Sequence, residues 1–144
     1  MTARADRLTG SCLCGAVRID ARPAAGEVSA CHCGLCRRWT GAALWVVEVP
    51  AAEVAVAGEV RTYRSSAFAE RAFCPTCGTH LWIRDDGGDY ELMPGLFAGA
   101  AGFPLVREVY ADRAFAGVTL AGSHERVRRA AYEAANAHVA GESA

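Results

Sequence analysis

The chain has no long hydrophobic run. Its longest apolar stretches, around residues 42–47 and 95–103, are too short to cross a bilayer and too rich in glycine and alanine. Residues 1–10 are polar and hold no apolar core of a secretory signal. A strong charge of either sign is also missing. The formal net charge is −1 over 144 residues, which gives no electrostatic footprint for nucleic acid. There is no internal repeat beyond short cysteine knuckles, and no linker that would divide the chain. These absences leave a soluble, cytoplasmic protein with no nucleic-acid and no membrane partner. It is expected to form a single domain over residues 1–144, with a core at about 8–115 and a helical extension at about 123–140. A composition of 52% hydrophobic and 22% charged residues suits a packed globular core, not disorder.

No cysteine stands alone. The seven fall into Cys12 and Cys14, then Cys31, Cys33 and Cys36, then Cys74 and Cys77. In a reducing compartment such clusters point to metal or catalysis rather than disulfides, and an odd number cannot all pair. No CxxC precedes a helix in a βαβ pattern, which weighs against thiol–disulfide redox chemistry. Soft ligands two or three residues apart can grip one ion from a short piece of backbone, and zinc favours that set. Spacing alone does not say which clusters share an ion. Ligand number favours one solution. Two pairs make a closed four-thiolate site suited to structure, whereas three thiolates leave a fourth position open for water or substrate. On that count Cys12, Cys14, Cys74 and Cys77 hold a structural ion, and Cys31, Cys33 and Cys36 a reactive one.

Between the clusters the pattern is mainly β. Residues 10–21 read as a strand in which Val17 and Ile19 alternate with Arg18 and Asp20, with Cys12 and Cys14 on one face at its start. Residues 28–33 form a second strand running into a knuckle, with Gly34 allowing a tight fold between Cys33 and Cys36. Residues 37–41 make a short helical turn ending at glycine. Residues 43–49 are a buried strand stopped by Pro50. Residues 54–57 and 60–64 read as a hairpin about Gly58-Glu59. Strands at 71–73 and 81–84 flank the Cys74–Cys77 knuckle, a zinc-ribbon-like hairpin. A strand at 90–93, a loop at 95–104 and a strand at 106–110 follow. In the last, Val106, Glu108 and Tyr110 alternate against Arg107 and Val109. The tail carries Val127, Ala130, Ala131, Ala134 and His138 at helical spacing, with Ser123 as cap and Gly141 as stop.

Three segments occur in order: Gly10-Ser11-Cys12-Leu13-Cys14-Gly15-Ala16-Val17, Cys31-His32-Cys33-Gly34-Leu35-Cys36-Arg37-Arg38, and Phe73-Cys74-Pro75-Thr76-Cys77-Gly78. In this combination the chain resembles the glutathione-dependent formaldehyde-activating enzyme (GFA) family, whose domain also occurs in centromere protein V. The resemblance covers about residues 8–115. It implies a mainly β, Mss4-like zinc-binding fold, here with a short C-terminal helix. It also implies two zinc ions per chain, with the same division into a structural four-cysteine site and a catalytic three-cysteine site. The three-cysteine site is expected to lose its metal more readily. The implied activity is that of a carbon–sulfur lyase on a thiol–aldehyde adduct such as S-hydroxymethylglutathione, formed from glutathione and formaldehyde.

Glutathione has two carboxylates, which suit bidentate arginine. Arg37 and Arg38 follow the triplet, and Arg64 and Arg71 flank the middle hairpin; these are the candidate substrate contacts, against the plain reading of solvated surface charge. His32, between two ligands, should point away from their side and pack or support them. His80 is not needed as a ligand beside four cysteines. Trp39 and Trp45 are read as core, and Ser65 and Ser66 as turn residues. The alanine-rich face of the tail is expected to pack on the sheet or on a second copy. The competing reading is a non-catalytic, zinc-stabilised module that contacts a protein partner.

Overall fold

The structure, a computed structural model, describes residues 5–139. In chain order its strands and helices are β1 (Leu8–Ser11), β2 (Arg18–Ala21), β3 (Val28–Cys31), α1 (Gly34–Thr40), β4 (Leu44–Val49), β5 (Val54–Ala57), β6 (Arg61–Arg64), β7 (Ala69–Phe73), β8 (His80–Asp85), β9 (Tyr90–Leu92), β10 (Leu105–Val109), β11 (Glu125–Val127) and α2 (Arg129–Ala135). The fold is mainly β with two short helices, and among the described residues no helix is long and apolar enough to cross a membrane. The chain divides into two compact units, each made of two separated stretches: Met1–Glu27 with Val46–Pro104, and Val28–Trp45 with Leu105–Ala144.

In the first unit β1, β2 and β5 make an antiparallel sheet in that order. The alternation expected over 10–21 is present in β2, where Ile19 and Ala21 are buried between exposed Arg18 and Asp20. The expected single strand is nevertheless two. Gly15 takes φ +79°, the left-handed region that suits glycine, and Cys12 N–H donates to the Val17 carbonyl at 3.0 Å. Cys12 and Cys14 therefore sit in the turn between β1 and β2, not on one strand face. The expected hairpin of 54–57 with 60–64 is also not formed. Gly58 does take a left-handed backbone (φ +102°), but β5 pairs with β2, and β6 pairs with β7. The ribbon-like hairpin is observed as β7 against β8, and β9 and the later part of β4 extend it. Ile19, Val47, Val49, Leu81 and Leu92 are fully buried in this unit. The 95–104 loop contains two short 3-10 turns.

In the second unit β10 lies parallel to β3 and to β11. Val28 and Ala30 bury one face of β3. Cys33 caps α1, and Gly41 ends it with φ +95°. Gly34 is the first residue of that helix and needs no left-handed backbone, so the tight fold comes from helix initiation rather than from glycine. The tail departs from expectation. Glu125–Val127 is a strand, and the helix begins only at Arg129, capped not by Ser123 but by Asp112 Oδ1, which accepts the Arg129 N–H at 2.7 Å. The expected stop at Gly141 lies outside the described residues.

Candidate metal centres

Among the described residues two sets of side chains could hold a metal ion: Cys12, Cys14, Cys74 and Cys77, and Cys31, Cys33 and Cys36. Within each set all sulfurs lie within 4.8 Å of one another. No disulfide joins any of the seven. Each set belongs to one unit, so the pairing of the first and third clusters, and the separateness of the second, are properties of the fold.

The four-thiol set joins two knuckles. One is the β1–β2 turn and the other the β7–β8 turn, closed by Cys74 N–H to Thr79 O at 2.9 Å and Gly78 N–H to Cys74 O at 2.8 Å. Thr79 ties the two together. Its hydroxyl oxygen accepts Leu13 N–H at 3.1 Å, and its proton is then available to Cys77 Sγ at 3.1 Å. Cys12 Sγ lies 3.6 Å from Cys14 Sγ, and Cys14 Sγ lies 3.8 Å from Cys74 Sγ. A tetrahedral zinc–thiolate ion with bonds of about 2.3 Å has sulfur–sulfur edges of about 3.8 Å, so the donor set fits zinc in kind and in spacing. The Thr79 hydroxyl, then backbone N–H groups, draw the Cys77 thiol down to about 5, and the Val17 N–H lowers Cys12. Cys14 gains from the Ala16 N–H, yet burial and its sulfur neighbours push it up to about 12. Neighbouring donors thus favour the thiolate at Cys12 and Cys77, and burial and crowding by the other sulfurs oppose it at Cys14.

The three-thiol set is built on one tight loop. Cys31 ends β3, Cys33 caps α1, and Cys36 lies in its first turn, where its N–H donates to Cys33 Sγ at 3.4 Å. Cys33 and Cys36 are buried and Cys31 half-buried. Hydrogen bonding with Cys33 and Cys36, then burial, hold the Cys31 thiol well above its ordinary value. The chemistry of three adjacent soft donors fits zinc here too, one ligand short of a closed tetrahedron.

His32 turns away from the thiols, as its position between ligands implies. Its Nε2 meets Glu108 Oε1 at 2.7 Å, and the other oxygen of Glu108 meets His124 Nε2 and, at 3.2 Å, Arg126 Nε. Burial pushes the Glu108 carboxyl up, but hydrogen bonds from His124 and His32 outweigh it and hold it below the usual range. Sequence reasoning missed Glu108 and His124. A glutamate in phase with Val106 and Tyr110 on an otherwise apolar strand face was the available signal.

The four candidate arginines divide between the units. Arg37 Nη1 donates to the Arg113 carbonyl at 2.9 Å and the guanidinium lies 5.0 Å from the Phe115 ring centre, while Arg38 is exposed on α1. Arg64 is exposed and grips Asp86 with two hydrogen bonds, at 2.8 and 3.2 Å, and Arg71 is buried on β7. His80 stays outside the four-thiol set; burial and then Arg71 lower its affinity for a proton. Ser66 is a turn residue whose hydroxyl accepts the Phe68 and Ala69 N–H groups.

Residues 7–113 match the family described as glutathione-dependent formaldehyde-activating enzyme. A curated relative, an uncharacterized lyase of Schizosaccharomyces pombe, is 34% identical over 108 residues, which cover 72% of this chain and 77% of the relative.

Proposed function

We propose, from the premise that this chain belongs to the glutathione-dependent formaldehyde-activating enzyme family, that it is a zinc-dependent carbon–sulfur lyase-type enzyme acting on the adduct of a small thiol, such as glutathione, with an aldehyde. The observation that carries this reading is the three-thiol set, a donor group with two buried members and one half-buried that stops one ligand short. Cys12, Cys14, Cys74 and Cys77 would hold a structural zinc, and Cys31, Cys33 and Cys36 a second one. When bound, the second ion supplies an open coordination position and a positive charge that favours the thiolate form of an incoming thiol. In the reaction R–SH + CH2=O → R–S–CH2OH, the carbon–sulfur bond forms, the carbonyl π bond breaks, and the thiol proton ends on oxygen. The chain's own part is to hold and shelter the reacting sulfur. Cys33 and Cys36 are buried and Cys31 is half-buried. Exposed Arg38, two residues beyond Cys36 on α1, is the first candidate for a substrate carboxylate. A cytoplasmic setting belongs to the same proposal.

The test is an assay of glutathione with formaldehyde, wild type beside Cys36→Ala, counting only turnover above the spontaneous addition. Wild type should give an enzyme-dependent excess with close to two zinc ions per chain. Cys36→Ala should lose the excess and keep about one ion. A wild-type ratio that stays near one at saturating zinc removes the catalytic reading. A second reading, a zinc-stabilised module that contacts a protein partner, is favoured by Leu13. This leucine is 89% exposed at the tip of the first knuckle, beside an open groove lined by Met93 and Leu96. Under that reading two ions bind but no excess turnover appears.

A further inference from the structure

Behind the three-thiol loop lies a polar ring whose members contribute no sulfur. We infer that Glu108 is a positioning residue for the three-thiol centre, and that His124 and Arg126, both beyond the stretch that matches the family, complete the clamp by which it holds His32. The inference rests on reading the triplet as a zinc centre.

The geometry carries it in three steps. First, Glu108 and the two histidines are almost wholly buried, with side-chain exposures of 6% for Glu108, 1% for His32 and 2% for His124. An ionised carboxylate only accepts hydrogen bonds, so the Nε2 of each ring carries its proton and both tautomers are set. Second, His32 is fixed at two points by one strand. Its backbone N–H donates to the Val109 carbonyl at 3.1 Å, and its ring donates to Glu108, the preceding residue of β10. Cys31, which pairs with Val109, and Cys33 flank this doubly anchored residue, so their sulfurs are placed by the anchor. Third, Glu108 is itself held from the far side. β11 runs parallel to β10 with Arg126 opposite Glu108, and this brings the His124 ring and the Arg126 guanidinium to the same carboxylate oxygen.

The ring is not a metal site of its own. Its 2.7 Å contact is a hydrogen-bond length, shorter than the roughly 3.3 Å between nitrogen and oxygen ligands of one tetrahedral zinc. Partners one step removed from a metal commonly change its affinity by about 10- to 100-fold.

The test uses the full chain as purified with zinc, under reducing conditions. A chromogenic zinc chelator is added stepwise, and the vacated site is refilled with cobalt(II) to read its thiolate charge-transfer and ligand-field bands. Cys36→Ala identifies which release step belongs to the triplet. Glu108→Gln keeps side-chain volume but removes the charge. Arg126→Ala removes a donor from the half-exposed rim without opening the interior. The expected result is weaker binding of the triplet ion by about 10-fold or more in Glu108→Gln, less in Arg126→Ala, with altered cobalt bands and no change at the four-thiol ion. If Glu108→Gln fails to fold, a triplet-specific loss in Arg126→Ala still supports the clamp. Triplet affinity and cobalt bands equal to wild type in a folded variant overturn it, as does equal weakening of both ions. So does an unfolded Glu108→Gln beside an unaffected Arg126→Ala. A wild type that binds one ion defeats the zinc reading itself, whereas two ions indifferent to these variants defeat the clamp alone.

Discussion

A methyl group placed on Gly58 would stand 2.0 Å from the carbonyl oxygen of Ala16, and Gly58 is also held at φ +102°. Ala16 belongs to the knuckle that carries Cys12 and Cys14. Gly58→Ala should therefore cost about 2–3 kcal/mol in chemical denaturation and speed zinc release from the four-thiol set. Glu91 gives a pH effect at the same scale. Burial, then Asp85 and Glu48, raise its carboxyl from 4.5 to about 7. Glu48 lies directly across from it on β4. The folded state thus binds this proton more tightly than the unfolded chain. The stability from Glu91 is present below about pH 4.5 and is lost as pH rises to about 7. Glu91→Gln should remove that slope, gaining on the order of 2 kcal/mol over wild type at pH 8 relative to pH 5, read from urea midpoints at the two pH values. The cysteine sets were legible because thiols that could share one ion come in short local spacings. Glu108 and His124 were not, because their meeting depends on which strands lie side by side.

Among elements, α2 shows how local signals can mislead. Helical spacing from 127 onward and a serine at 123 suggested an early start. The segment Glu125–Val127 instead adds a parallel strand to β10, because that pairing satisfies its backbone and brings Arg126 to Glu108. The helix then starts where Asp112, from the turn after β10, can accept its first N–H. Asp112→Ala should cost about 1 kcal/mol, seen as a lowered midpoint of thermal unfolding, while Ser123→Ala should be silent. The β7–β8 hairpin was readable because a CxxCG knuckle between two alternating runs specifies its own turn. The false hairpin at 54–64 failed for the opposite reason: Gly58-Glu59 reads as a turn, but nothing in it names the partner strand.

For the molecule as a whole, the mainly β class was what the family resemblance implied, and the strand readings along the chain agreed with it. The division into two units was not legible, since each is assembled from stretches far apart in sequence. The four-thiol set joins residues 12 and 77 across a loop that contains the entire first stretch of the other unit. If this set holds a structural ion as proposed, its binding free energy is folding free energy for the first unit. Exhaustive chelation under reducing conditions, or Cys77→Ala, should collapse the β signal in far-ultraviolet circular dichroism, whereas Cys36→Ala should leave it intact. The same interleaving has a consequence for synthesis. A ribosome delivers Cys12, Cys14, Cys31, Cys33 and Cys36 before it delivers Cys74 or Cys77, and Glu108 and His124 later still. If the four-thiol set is a metal site as proposed, a nascent chain passes through a stage in which five thiols are present and that set is still incomplete. Under that proposal, filling the four-thiol set is a matter of timing as well as affinity.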